Sequence, residues 1–202
     1  MILQGPSDLT DEELVRRTGE GDTAAFDELY DRYSQRLLRY FRRMLGGDSD
    51  KAEDFLQDAF LKVIEKHGHF DPAKRFSTWI FALVHHMCCN ELRRQEVRQN
   101  TTRSDVDALV PDVGERSYGV EDEVEDRLFR QALVRELNRL DEVKRSTFLV
   151  RFQEEFSLKE ISAMLDCSIG TTKSRLFYTC QTLADRLRAY DPSNTLEGAE
   201  ER

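Results

Sequence analysis

Apolar residues recur at steps of three and four along almost the whole chain, the spacing of helices that each bury one face. Thr10 and Glu13 have the form of a capping box, and Leu9 and Leu14 stand where a hydrophobic staple packs. A first helix therefore begins near Asp11 and ends at Gly19 and Gly21. Asp22 caps a second, striped by Phe26, Leu29, Tyr30, Tyr33, Leu37, Phe41, Met44 and Leu45 and stopped by Gly46-Gly47. The third carries Ala52, Phe55, Leu56, Ala59, Phe60, Val63 and Ile64 on one face, with Asp54, Gln57, Asp58 and Lys62 elsewhere. A loop over 67–75 contains the turn-like Asp71-Pro72. The fourth helix puts Phe76, Trp79, Ile80, Leu83, Val84 and Met87 inward and runs into Arg93-Arg94.

The period then lapses from about 96 to 126, a polar stretch with Pro111, Gly114, Gly119 and many acids, which reads as a flexible acidic linker. It resumes with Leu128, Ala132, Leu133, Leu137 and Leu140, then Phe148, Leu149 and Phe152. Ser157 and Glu160 form a second capping box, opening a short helix with Ile161, Met164 and Leu165 inside. Asp166-Cys167-Ser168 is a tight connection, and Leu176, Cys180, Leu183, Leu187 and Tyr190 stripe a long last helix. Gly170 stands where close packing or a phosphate favours a missing side chain. A short helix, a brief turn and a second helix are the pattern that lays a recognition helix in a DNA major groove. Hydroxyls and cations in the first turns of that helix, Thr171 to Arg175, suit phosphate oxygens and base edges. The pattern thus predicts an all-α protein: a helical domain over 10–95, a linker over 96–126, a smaller helical domain over 127–190, and a disordered tail over 191–202.

Composition narrows the function. With 34% charged and 39% hydrophobic residues, four prolines and ten glycines, the chain suits a helix-rich soluble protein. No stretch is apolar enough to span a membrane, and a cytoplasmic location is expected. A formal net charge of -9 argues against indiscriminate nucleic-acid binding, but the acids cluster in the linker and leave the flanking domains nearer balance. Four cysteines without a CxxC read as free thiols. The run His85 to Arg94, HHMCCNELRR, raises a metal or redox reading, with His85 and Cys89 one turn apart and His67 or His69 as further ligands. No HExxH, no paired CxxC and no convergent catalytic set supports it, so neither a metal, a cofactor nor an enzymatic activity is expected.

SLKEISAMLDCSIGTTKSRL resembles the region 4 helix-turn-helix of extracytoplasmic-function (ECF, group IV) sigma factors of the sigma-70 family. Independently, DTAAFDELYDRY resembles the family's region 2.1, AEDFLQDAFLKVIEKH its region 2.2, and RFSTWIFALVHHMCCNELRR its regions 2.3 and 2.4. The resemblance implies a bacterial RNA polymerase subunit that selects promoters and helps to open them, with no catalysis of its own. By that resemblance Asp54, Gln57 and Asp58 meet the clamp helices of the polymerase β′ subunit, and the β flap is a further polymerase contact. Lys74, Arg75, Ser77, Thr78, His85, His86, Asn90, Arg93 and Arg94 face the promoter −10 element, whose bases are held out of the stack. Thr171, Thr172, Lys173, Ser174, Arg175, Phe177 and Tyr178 face the −35 duplex, and an anti-sigma factor is a further potential partner. Trp79, a tempting stacking residue, falls on the apolar face and reads as core.

Two departures from the family pattern stand out. Thr172 replaces the usual valine, and Tyr178-Thr179-Cys180-Gln181 replaces a stretch commonly rich in arginine, which implies fewer neutralised phosphates and weak −35 binding. His85 and His86 occupy positions that are often Arg and Asn, implying −10 binding that weakens as pH rises through the histidine range. A rival reading is a helix-turn-helix activator with an N-terminal sensor, which would bind its promoter without polymerase.

Overall fold

The computed structural model describes residues 5–101 and 122–190; the expected flexible linker and disordered tail lie, for the most part, outside them. Among the described residues every regular element is helical: α1 (Asp11–Gly19), α2 (Thr23–Met44), α3 (Ser49–Lys66), α4 (Phe76–Thr101), α5 (Asp122–Asn138), α6 (Glu142–Phe152), α7 (Leu158–Met164) and α8 (Ile169–Leu187), with short 3-10 turns at Pro6–Asp8, His67–His69 and Arg188–Tyr190. The fourth helix runs past its expected end near 95, and α5 starts a few residues before its expected start. Both extensions are polar, and polar residues that follow a packed helix continue its hydrogen-bond ladder cheaply, a step that periodicity does not register.

The ends of the helices follow local chemistry. Thr10 Oγ1 accepts from the Glu13 N–H at 3.3 Å, but the Glu13 carboxylate turns instead to Arg16 and Arg17, so the box is only half formed. Those two guanidiniums, Arg16 first, hold the Glu13 carboxyl down at about 2. Asp22, Asp48 and Asp141 cap α2, α3 and α6 through their carboxylates. The Ser157–Glu160 box is complete in both directions. At the start of α4 the Phe76 N–H donates to Glu12 Oε1 of α1 at 3.0 Å. Gly21, Gly46 and Gly47 have φ of 89°, 75° and 92°, which lets the chain leave α1 and α2 sharply. Gly19 is required by proximity, since a Cβ there would lie 2.1 Å from the His67 ring.

α1, α2 and α3 pack against one another around Leu14, Leu29, Leu37, Phe41, Leu56 and Phe60, with α4 completing the bundle through Phe76, Ile80 and Val84. Edge-to-face aromatic pairs run through it, Tyr33 on Phe76 at 5.1 Å and Phe41 on Phe55 at 5.7 Å, each contributing about 0.5–1.5 kcal/mol beyond burial. Trp79 sits against Phe70 and Phe76, partly buried. The second domain, α5 to α8, builds its own core from Leu137, Leu149, Val150, Ile161, Leu176 and Leu183.

The two domains also share an interface: α6 and α7 lie on α4, and α5 and α6 on α2. Phe81 is fully buried, edge-on to Phe156 of the second domain at 5.2 Å, and the Tyr40 and Ser146 hydroxyls meet at 2.8 Å in the buried seam. This contact corrects the expectation for α4. Its inward side was expected to be Phe76, Trp79, Ile80, Leu83, Val84 and Met87, with His85 facing the promoter. Instead Phe81, His85, Cys88 and Cys89 are buried, because a second apolar body covers the side that periodicity within one domain leaves polar, while Trp79, Leu83 and Met87 are only half-buried.

Candidate polymerase and nucleic-acid faces

Three faces carry the candidate residues. On α3, Asp54, Gln57 and Asp58 are exposed together, as helical spacing brings positions i, i+3 and i+4 to one side. The same strip continues into Leu61, 57% exposed, and Ile64, 43% exposed, with Tyr30 of α2 beside it over Phe60 at 4.8 Å. Ile64 was expected inward and lies at the edge of the core. Leu61 was not singled out, yet an apolar residue beside an acidic pair at an exposed position is the signal that could have found it.

The second face is the start and outer side of α4. Lys74 and Arg75 are exposed on the loop before it, and Ser77 and Thr78 are half-buried in its first turn. His86, Asn90, Arg93 and Arg94 are exposed. His85 is not: only 5% of it is accessible. Its ring lies 3.5 Å from the Cys89 sulfur, with His86, Arg93 and Arg175 as the charged or titratable neighbours. Burial first, then electrostatic repulsion from His86, Arg175 and Arg93, push its pKa down to about 4. A ring that stays neutral takes His85 out of the expected loss of −10 binding with rising pH, while His86, the other residue of that expectation, is exposed. Burial likewise pushes the Cys89 thiol up to about 11 and the Cys88 thiol well above its ordinary value, so both sulfurs are protonated apolar side chains. Among the described residues no group of three or more His, Cys, Asp or Glu is placed to hold a metal ion. His67 Nδ1 is engaged with the Ile64 carbonyl at 2.7 Å, against Gly19.

The third face is the N-terminal half of α8. Ser168 Oγ accepts from the Thr171 N–H at 3.0 Å and meets the Thr171 hydroxyl at 2.9 Å. Thr171, Lys173, Ser174, Phe177 and Tyr178 are exposed, the last two as an edge-to-face pair at 5.4 Å. Thr172 is fully buried, its hydroxyl 3.3 Å from the Ser168 carbonyl, so it packs the turn and offers nothing to a ligand. That position tolerates Thr in place of the family's usual Val because a local carbonyl takes the hydroxyl. Arg175 is half-buried and inclined toward Cys167. A Cβ at Gly170 would meet only Ser168 Oγ, at 3.6 Å, so packing does not require this glycine. Of the four residues that replace the arginine-rich stretch, Thr179 is fully buried and Cys180 half-buried. Asp166 takes φ 47° in the turn between α7 and α8, a conformation Asp tolerates better than most residues.

The sigma-70 region 2 family model matches residues 29–98 and the sigma-70 region 4 model residues 130–183, together more than half of the chain. The ECF RNA polymerase sigma-E factor of Escherichia coli (strain K12) is 29% identical over 187 residues, 89% of this chain and 95% of that relative. Among solved structures, the sigma factor RpoE of Bartonella quintana, in complex with the anti-sigma factor NepR, is similar at a TM-score of 0.62 and 25% identity, over 79% of this chain and 98% of that one. CnrH, in complex with the cytosolic domain of CnrY, shares the fold at a TM-score of 0.65 and 21% identity, over 89% of this chain and 97% of that one. No helix among the described residues is long and apolar enough to cross a membrane.

Proposed function

The chain belongs to the sigma-70 family as an ECF sigma factor that directs RNA polymerase to promoters, and from that premise we propose how its three faces divide the work. The α3 strip of Asp54, Gln57, Asp58, Leu61 and Ile64 docks on the polymerase clamp. Acids at its centre give steering and register, and the apolar pair gives desolvated contact area. The loop and outer side of α4, Lys74, Arg75, Ser77, Thr78, His86, Asn90, Arg93 and Arg94, hold the opened −10 strand. Thr171, Lys173, Ser174, Phe177 and Tyr178 meet the −35 duplex. Few cations remain on that last face, so −35 binding is weak and has a shallow salt dependence. The protein acts by binding, without catalysis, as a group IV member in a bacterial cytoplasm. A protein of the anti-sigma class is its expected regulator, by extension from the Bartonella RpoE–NepR pair.

One observation carries this reading: two separate family matches, region 2 then region 4, fall on the two helical domains in the family's order. The α3 assignment has its own test. Leu61→Asp combined with Asp58→Arg changes exposed side chains only and should leave the fold intact. Affinity for core polymerase should fall at least about tenfold, or ~1.4 kcal/mol, in a fluorescence-anisotropy titration. Unchanged affinity would remove α3 from the docking face. An activator with a sensor domain would bind promoter DNA without polymerase and would be indifferent to these substitutions.

A further inference from the structure

The loop over 67–75, which brings Lys74 and Arg75 to the −10 face, is held at both ends by α1. At its entry the His67 ring lies so close to α1 that a Cβ on Gly19 would stand 2.1 Å from it. At its exit the half-buried Glu12 accepts through Oε1 from the Phe76 N–H at 3.0 Å, a contact across 64 residues of chain. A cleft lined by Glu12, Arg16 and Gly19 of α1 and by His67, Phe70 and Pro72 of the loop runs between these two points.

The middle of the loop is fixed by its own contacts. Asp71 accepts from the Ala73 N–H through Oδ1 at 3.0 Å and from the Lys74 N–H through its carbonyl at 2.9 Å. Phe70 is buried, edge-on to Phe76 at 5.8 Å and to Trp79 at 5.6 Å. α1 is in turn tied to α2, where Asp11 accepts from Arg32 Nη1 at 2.8 Å and from the Tyr33 hydroxyl. A loop that is rigid in its middle moves as a body when its ends move, so the two contacts with α1 decide where Lys74, Arg75 and the first turn of α4 stand. α1 itself suits phosphates poorly: it carries Asp11, Glu12 and Glu13, and its Arg16 and Arg17 are both paired with Glu13. Its influence on a bound strand is therefore indirect. The Glu12 carboxylate also faces the positive end of the α4 dipole, which favours an acid at this point.

We infer that α1 is a splint for the −10 loop, with Glu12 as its principal positioning residue and the Gly19–His67 contact as its second point of support. The splint sets which bases the loop accepts without touching them, and it rests on the assignment of that loop to the −10 strand. Groups that read a base discriminate only while they are held to within about 0.5 Å, and supporting hydrogen bonds behind them keep that tolerance. Loss of the Glu12 acceptor frees the start of α4 and the two residues before it, so discrimination falls before attachment to polymerase does.

The test compares discrimination with affinity in the complex of the full chain with core polymerase. The probe is a single-stranded −10 oligonucleotide from a promoter that this complex transcribes, set against the same bases in scrambled order. Wild type should prefer the first. In Glu12→Ala the ratio of the two dissociation constants should fall at least about fivefold, with affinity for core polymerase held within about twofold. Glu12→Gln keeps an oxygen acceptor in the same place and should recover most of the ratio. Gly19→Ala should lower the ratio too, and adding His67→Ala, which removes the ring in the way, should restore part of the loss. A Glu12 that only stabilised the fold would reduce the active fraction, which weakens both oligonucleotides alike and leaves the ratio unmoved. A Glu12→Ala ratio equal to that of wild type, or a Glu12→Gln variant as poor as Glu12→Ala, would overturn the splint alone. A wild-type complex with no preference between the two oligonucleotides would remove the −10 assignment, and the splint with it.

Discussion

Replacing Arg145 with Ala should cost about 3 kcal/mol or more, the largest effect expected of any single substitution outside the hydrophobic core. The side chain is 7% exposed and, among the described residues, forms no ion pair with a carboxylate. Its Nε donates to the Leu137 carbonyl at 2.9 Å, its Nη2 to Asn138 at 2.7 Å and Leu140 at 3.2 Å, and its Nη1 to Met44 at 2.8 Å. One guanidinium thus closes the α5–α6 turn and caps the end of α2 in the other domain. Helix C-termini leave carbonyls without intrahelical partners, and a hydrogen bond to a charged donor contributes ~1.5–3 kcal/mol. Two such losses exceed the return from no longer burying the charge, which draws the guanidinium's pKa down without discharging it. Lys should rescue less than half of the loss, because a point ammonium cannot serve a fork of four acceptors. Urea unfolding is the measurement. Wild type should show one transition and Arg145→Ala an earlier one that splits in two as the domains uncouple; an unchanged midpoint would contradict this.

The second large effect is a pH dependence of stability centred on His85. Its imidazole has a folded pKa of about 4 against an ordinary value of ~6.5. The unfolded chain therefore takes up the proton first. This contribution to stability is fully present above about pH 6.5 and is lost as the pH falls toward about 4. The complete loss amounts to about 3 kcal/mol, of which about 2 kcal/mol falls between pH 7 and pH 5. The groups facing the ring act in the same sense, since His86, Arg93 and Arg175 oppose its charging and the Cys89 thiol remains neutral. Carboxylates titrate in the lower part of this window, so the informative quantity is a difference. In His85→Gln, the loss of unfolding free energy between pH 7 and pH 5 should shrink by about 2 kcal/mol. Parallel pH profiles for the two proteins would show that the ring is hydrated and ordinary.

Most of the fold was legible in the sequence because amphipathic period and capping are local. Asp22, Ser157 with Glu160, and the glycines after α1 and α2 mark helix ends through their own chemistry, and the structure uses them so. Glu13 shows the limit of a motif. The box pattern is present, but Arg16 and Arg17 on the following turn compete for the carboxylate and take it. What sequence alone missed is non-local. Tyr40, Phe81, Arg145 and Glu154 make sense only once two domains meet, and no period within one helix reports a partner 75 or more residues away. The same cause moved His85 from an expected promoter-facing cation to a buried neutral ring. Thr172 was drawn to the DNA face by its hydroxyl, whereas the Ser168 carbonyl holds that hydroxyl inside the turn. Exposed residues fared better. Asp54, Gln57, Asp58, Lys173, Phe177 and Tyr178 are all accessible, because a surface position on a helix follows from the position of its buried stripe.

The central claim is that this chain selects promoters for RNA polymerase. Its most direct test is transcription in vitro with core polymerase, the purified chain and a library of genomic fragments. The account predicts discrete start sites that appear only when both proteins are present, share two upstream elements, and disappear with the Leu61→Asp/Asp58→Arg variant. Transcripts that are independent of this chain, or promoter binding by the chain that owes nothing to polymerase, would contradict it.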